Sequence, residues 1–101
     1  VTSKLDLDEL RRSIDAVDQQ ILKLLHDRVR LVLAVGEYKR ERGIPVYDPS
    51  RERALLDRLC KNAEPPLDAD TVRRIVERIV DECRRIEHHH ITPPSTPPPP
   101  A

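Results

Sequence analysis

Along the first part of the chain, apolar residues recur at alternating spacings of three and four: Leu7, Leu10, Ile14, Val17, Ile21, Leu24, Leu31, Val35 and Tyr38. This is a heptad seam, and it predicts one long helix. Asp6 and Glu9 make a capping-box pair at its start, and Gly43 followed by Pro45 supplies its stop. About 36 residues rising about 1.5 Å each give a helix of roughly 54 Å. A compact domain of this size has a radius of gyration of only about 13 Å. The helix therefore overhangs its own domain, and a second copy packed along it is the economical way to cover the overhang.

A short second helix is expected from about Pro49 to Asn62, with Leu55, Leu56 and Leu59 inward. The segment AEPPLDAD breaks the pattern, and Asp68 starts a third helix. Its apolar face comprises Val72, Ile75, Val76, Ile79, Val80 and Cys83 and runs towards Ile86 and Glu87. The closing HHHITPPSTPPPPA is rich in proline and unsuited to a core, so a partly polyproline tail is predicted. The three histidines suit a solvated helix end better than a metal site. The expected organisation is all-α: a helical domain over residues 1–90, then a disordered proline-rich tail over 91–101.

Composition narrows the function. The 101 residues carry 18 Lys plus Arg and 18 Asp plus Glu, so no net field favours nucleic acid or a membrane surface. Two Tyr, with no Trp or Phe, leave little for base stacking, and two glycines exclude a glycine-rich phosphate loop. No stretch approaches the roughly 20 apolar residues of a membrane span. Cys60 and Cys83 have no metal-ligand spacing and make no disulfide framework. A reduced, cytoplasmic protein without cofactor or metal is the expectation. The chain opens on Val1, which is also compatible with a leader already removed.

The seam lacks one apolar member. Between Leu24 and Leu31 the pattern places Arg28, and an inward guanidinium requires something anionic to meet it. One reading is an internal ion pair with Glu52 or Glu87; the other is an anionic ligand. Lys39 lies about 16 Å farther along and only about 20° off the same face, so the two side chains can converge on one small anion. Arg11 lies about 25 Å before Arg28 and about 100° around the helix. Within one chain it cannot share that ligand, but an antiparallel partner helix would bring a second copy's Arg11 close.

The stretch VYDPSRER crowds further charge into one turn. Asp48 and Pro49 suit a helix start, and Arg51 and Glu52 lie over the same face as Asp48. On the third helix, Cys83 and Glu87 sit four apart on the apolar side. A cysteine there is ordinarily a small core residue, and Glu87 gains meaning only if that helix covers a pocket. Inward cations beside a few acids, with no evident nucleophile, would hold a small anion and stabilise charge electrostatically.

Over about residues 5–88 the chain resembles the all-helical chorismate mutases. The resemblance is carried by LRRSIDAVDQQILKLLHDR, by VGEYKRERGIPVYDPSRER and by the third helix with its polar pair. It implies an intertwined homodimer of three-helix chains with two shared sites. It also implies the cofactor-free [3,3] rearrangement of chorismate to prephenate, in phenylalanine and tyrosine biosynthesis. On this resemblance a partner copy's Arg11 and Arg28 bind the substrate carboxylates, and Lys39 donates to the ether oxygen. Asp48 and Glu52 lie near the ring hydroxyl, and Arg51 completes the polar wall. Two positions depart from the family pattern: Cys83 stands where serine is frequent, and Glu87 where glutamine is frequent. Two alternatives stay open, an isochorismate-pyruvate lyase of the same fold and a non-catalytic helical dimerisation module.

Overall fold

The computed structural model of the chain describes residues 6–91, which form three helices and, among the described residues, no strand. Helix α1 spans Leu7–Glu41, α2 Pro49–Lys61 and α3 Ala69–Ile91. Each starts on an aspartate whose carboxylate accepts a backbone N–H of the first turn. Asp6 takes Glu9 N at 2.7 Å, Asp48 takes Arg51 N at 3.1 Å, and Asp68 takes Thr71 N at 2.7 Å. Pro49 occupies the first turn of α2, where its missing N–H has no consequence.

The end of α1 is a Schellman closure. Ile44 N donates to Lys39 O at 2.8 Å and Gly43 N to Arg40 O at 3.3 Å, with Gly43 at φ +68°. That positive φ explains the glycine, because a side chain would be strained there. The turn reverses the chain and delivers Val46, Tyr47 and Asp48 beside the C-terminal half of α1.

Helix α3 is the element on which both other helices pack. Its Val80 and Cys83 are the buried apolar side chains among the described residues, and Leu55, Leu56 and Leu59 of α2 are half-buried as expected. Ile75, expected on the inner face, is 51% exposed instead, since it lies on the flank of α3 that neither neighbour reaches. Helix α3 continues through His88, His89 and His90, which form the solvated helix end expected of them, at the terminus that favours positive charge. Residues 92–101, the rest of the predicted tail, lie outside the described residues.

Every residue from Asp6 to Leu24 is exposed, and all nine apolar seam residues of α1 remain open to solvent. The extents of 60 × 41 × 19 Å and a radius of gyration of 18.8 Å, well above the compact value, follow from this overhang. Among the described residues, no helix is long and apolar enough to cross a membrane.

Capping by Asp68 carries a pH signature. Its hydrogen bonds from Thr71 hold the carboxyl below its usual pKa. The stabilisation is therefore present above the unfolded-state pKa and is lost as pH falls through the folded-state value. Asp68→Ala is expected to unfold at a lower temperature than the parent near neutrality. The gap should close on acidification, as followed by circular dichroism melts across pH.

Candidate active site

A cavity of about 580 Å³ opens between the C-terminal half of α1, the start of α2 and the C-terminal half of α3. Arg28, Leu31, Val32, Val35 and Lys39 line it from α1, Val46, Tyr47 and Asp48 from the connecting turn, and Arg51 and Glu52 from α2. Val80, Cys83, Arg84, Glu87 and His88 close it from α3. Seven of the eight residues singled out from the sequence thus meet here; Arg11, exposed on the overhanging part of α1, does not.

Helical periodicity accounts for the α1 contribution. Arg28, Leu31, Val35 and Lys39 fall three to four apart, so cations at the two ends of the stripe flank aliphatic side chains between them. The Lys39 ammonium donates to Val46 O at 3.4 Å, which ties the side chain to the turn below the cavity. Arg28 is half-buried and forms no ion pair among the described residues. Neither expected internal partner serves it. Glu52 is taken by Arg84, and Glu87 lies against α1 farther along.

Glu87 sits where it does because Gly36 has no side chain. A Cβ on Gly36, the buried residue of α1, would lie 2.5 Å from Glu87 Oε2 and 3.3 Å from its carboxyl carbon. Burial in this contact raises the Glu87 pKa, and the nearby Lys39 and Arg40 oppose the shift without cancelling it. The acid is thereby poised to hold a proton at higher pH than an exposed glutamate. Cys83, 5% exposed, is a free thiol one turn before Glu87 on the same face.

Three lining residues had no functional reading in the sequence: Tyr47, Arg84 and His88. Arg84 donates through one nitrogen to both carboxylate oxygens of Glu52, and its guanidinium lies 4.7 Å from the centre of the Tyr47 ring. His88 adds an imidazole at the mouth. The face of α3 that Arg84 occupies reads as solvated surface, and only the docking of α2 brings Glu52 to it. Gly36, behind Glu87, did leave a signal: an isolated glycine inside a helical pattern usually has a packing reason.

No group of three or more His, Cys, Asp or Glu side chains among the described residues is arranged to hold a metal. The chemistry on offer is that of cations and acids surrounding a partly apolar space. The family model for chorismate mutase type II matches residues 10–88. The chain belongs to that family. Its backbone superimposes on the chorismate mutase (form II) of Thermus thermophilus with a TM-score of 0.78, at 34% identity, covering 82% of this chain and 94% of that one. It is 46% identical over 55 residues to a chorismate mutase of Methanocaldococcus jannaschii, across 54% of this chain and 56% of that protein. It is also 42% identical over 76 residues to a T-protein of Enterobacter agglomerans, across 70% of this chain. The chain spans 20% of the length of that T-protein. The all-α, three-helix architecture expected from the resemblance is the one observed.

Proposed function

We propose that the cavity binds chorismate and converts it to prephenate by an intramolecular [3,3] rearrangement, in the biosynthesis of phenylalanine and tyrosine. The observation that carries this reading is the convergence of Arg28, Lys39, Asp48, Arg51, Glu52, Cys83 and Glu87 on one cavity from three helices. A pericyclic reaction forms and breaks its bonds within one molecule, so it needs neither nucleophile nor cofactor. It needs the substrate held in a compact, chair-like conformer, with fixed donors where negative charge grows on the ether oxygen. Arg28 holds one carboxylate and Lys39 donates to the ether oxygen. Protonated Glu87 donates from the side opposite Lys39, Asp48 and Glu52 accept from the ring hydroxyl, and Arg51 completes the wall. The Cys83 thiol, where serine is frequent in the family, gives a weaker hydrogen bond to carboxylate.

The second carboxylate is assigned to Arg11 of a second copy. The reading rests on the exposed seam: an apolar stripe from Leu7 to Tyr38, broken at Arg28, is far larger than a solitary soluble chain normally leaves open. An antiparallel copy laid along the seam covers it and carries its Arg11 towards Arg28 and Lys39, which makes an intertwined homodimer with two shared sites. The two cysteines, both free, fit a reducing cytoplasm.

The direct test is purified protein with chorismate, following loss of its absorbance and identifying the product as prephenate. Lys39→Ala should stay folded and lose turnover by about a hundred- to a thousandfold, the usual effect of removing one donor to developing charge. A variant within about twofold of the parent would end the assigned role.

Glu87 gives a pH test. Bound dianion and burial both favour its neutral, donating form, whereas Lys39 and Arg40 favour the ionised one. Turnover is expected to be highest on the acidic side and to decline as pH rises through this carboxyl's pKa in the complex. Glu87→Gln keeps a donor without the titration, so its turnover profile should be flat over the same range. Superimposable profiles would leave Glu87 as a helix-end acid.

Shared sites have their own test. Sedimentation at micromolar concentration should give a particle of two chains. Mixing inactive Arg11→Ala and Arg28→Ala chains should restore part of the activity, because one site of each mixed dimer is then intact. No recovery, despite proven subunit exchange, would place Arg11 and Arg28 of the same chain in one site.

A further inference from the structure

Arg84 belongs to the cavity, yet neither the conversion nor the binding of the two carboxylates requires it. Its guanidinium engages both carboxylate oxygens of Glu52 across the gap between α3 and α2 and lies over the Tyr47 ring. Hydrogen bonding to Glu52 raises the Arg84 pKa. Asp81, one turn back on α3, stands 3.9 Å from its other terminal nitrogen, so Arg84 is held from two sides. Glu52 keeps only 26% of its side-chain exposure, against 43% for Arg84, so the carboxylate is the more enclosed member of the pair.

A second cavity of about 240 Å³ lies on the other side of this pair, and Tyr47, Glu52, Val80 and Arg84 line both spaces. The Arg84–Glu52 clamp is therefore the partition between them. We propose that Arg84 is a positioning and specificity residue of the site: it fixes the Glu52 carboxylate, compensates its charge against an incoming dianion, and closes the ring end of the cavity. The proposal rests on the functional reading above.

The reasoning is electrostatic and geometric. A dianion approaching Arg28 and Lys39 also approaches the Glu52 carboxylate, and an uncompensated carboxylate at that wall would repel it in ground state and transition state alike. A carboxylate offers about four lone-pair sites, of which the clamp uses two, so one oxygen can still accept from a ligand hydroxyl. Arginine suits the task because its planar guanidinium can give one nitrogen to both Glu52 oxygens, turn the other towards Asp81 and rest its face on the Tyr47 ring; a lysine supplies the charge without that geometry. The interaction lost on removing Arg84 is one made equally with bound substrate and transition state, so the loss should fall on KM more than on kcat.

The experiment is a double-mutant cycle on chorismate turnover, with circular dichroism to show that each variant is folded. Arg84→Leu keeps the aliphatic bulk and should raise KM by about tenfold with kcat changed by less than about threefold. Arg84→Lys should fall between the parent and Arg84→Leu, retaining charge without the planar contact on Tyr47. In the Glu52→Gln background there is no carboxylate to compensate, so Arg84→Leu should then change KM by less than about twofold. A purely structural role for Arg84 would lower the melting temperature while leaving the KM effects of the two substitutions additive. Additive effects, or a KM for Arg84→Leu within about twofold of the parent, overturn the proposal. If Arg84→Leu does not fold, the Arg84→Lys and Glu52→Gln pair decides by the same comparison. A parent protein that leaves chorismate unchanged would remove the functional reading and this proposal together. An active parent with an additive cycle would remove the proposal alone.

Discussion

Helix α1 runs for 35 residues, while α3 meets it only along its C-terminal half, and most other features of the molecule follow from that mismatch. The unmatched half has no core of its own to rest on, so its seam stays in the open. The matched half is where α1 turns an apolar stripe flanked by cations towards the other helices. With only Val80 and Cys83 buried among the described apolar side chains, and neither of them completely, the single chain has little interior. Burial on folding provides most of a domain's favourable free energy. A chain built this way is short of interior when alone.

The cavity shows how charges can sit half-buried without large penalty. Aliphatic side chains separate Arg28 from Lys39 along α1, and three of the cavity's charges are tethered by short-range contacts: Lys39 to Val46 O, Glu52 to Arg84, and Glu87 against Gly36. Surface pairs elsewhere, such as Arg73 with Asp57 at 3.2 Å, join the same two helices as the Arg84 clamp but contribute little. The difference lies in the carboxylate, since the Glu52 side chain is 26% exposed and that of Asp57 66%. Around the cavity each contact also decides where a charge points, which is the property an electrostatic catalyst requires.

Much of this was legible in the sequence because its signals are local. The three aspartate caps, Pro49 and the Gly43 closure each involve neighbours within a few residues, and each falls where the pattern placed it. Arg28 showed itself as a break in a regular seam, and Lys39 as its partner by rotation alone. What was hidden depends on contacts between helices. Arg84 reads as one more charge on a polar face until Glu52, distant in the chain, docks against it. The exposure of Ile75 was likewise decided by which flank of α3 lies uncovered, not by periodicity. The proposed shared-site arrangement rests on the resemblance together with one arithmetic fact, a helix too long for its own domain.

Gly36 links two distant positions by subtraction. Alanine is favoured over glycine within a helix by about 0.8–1.0 kcal/mol, so pressure for stability alone would add a methyl group there. That methyl would leave α1 intact and evict the carboxyl of residue 87, whose flexible end can move aside. Stability and placement thus pull in opposite directions at one atom. The two positions are consequently not free to drift independently: a side chain at 36 is compatible only with a residue at 87 that is shorter or turned away. A methyl at 36 thus displaces the acid and not the helix.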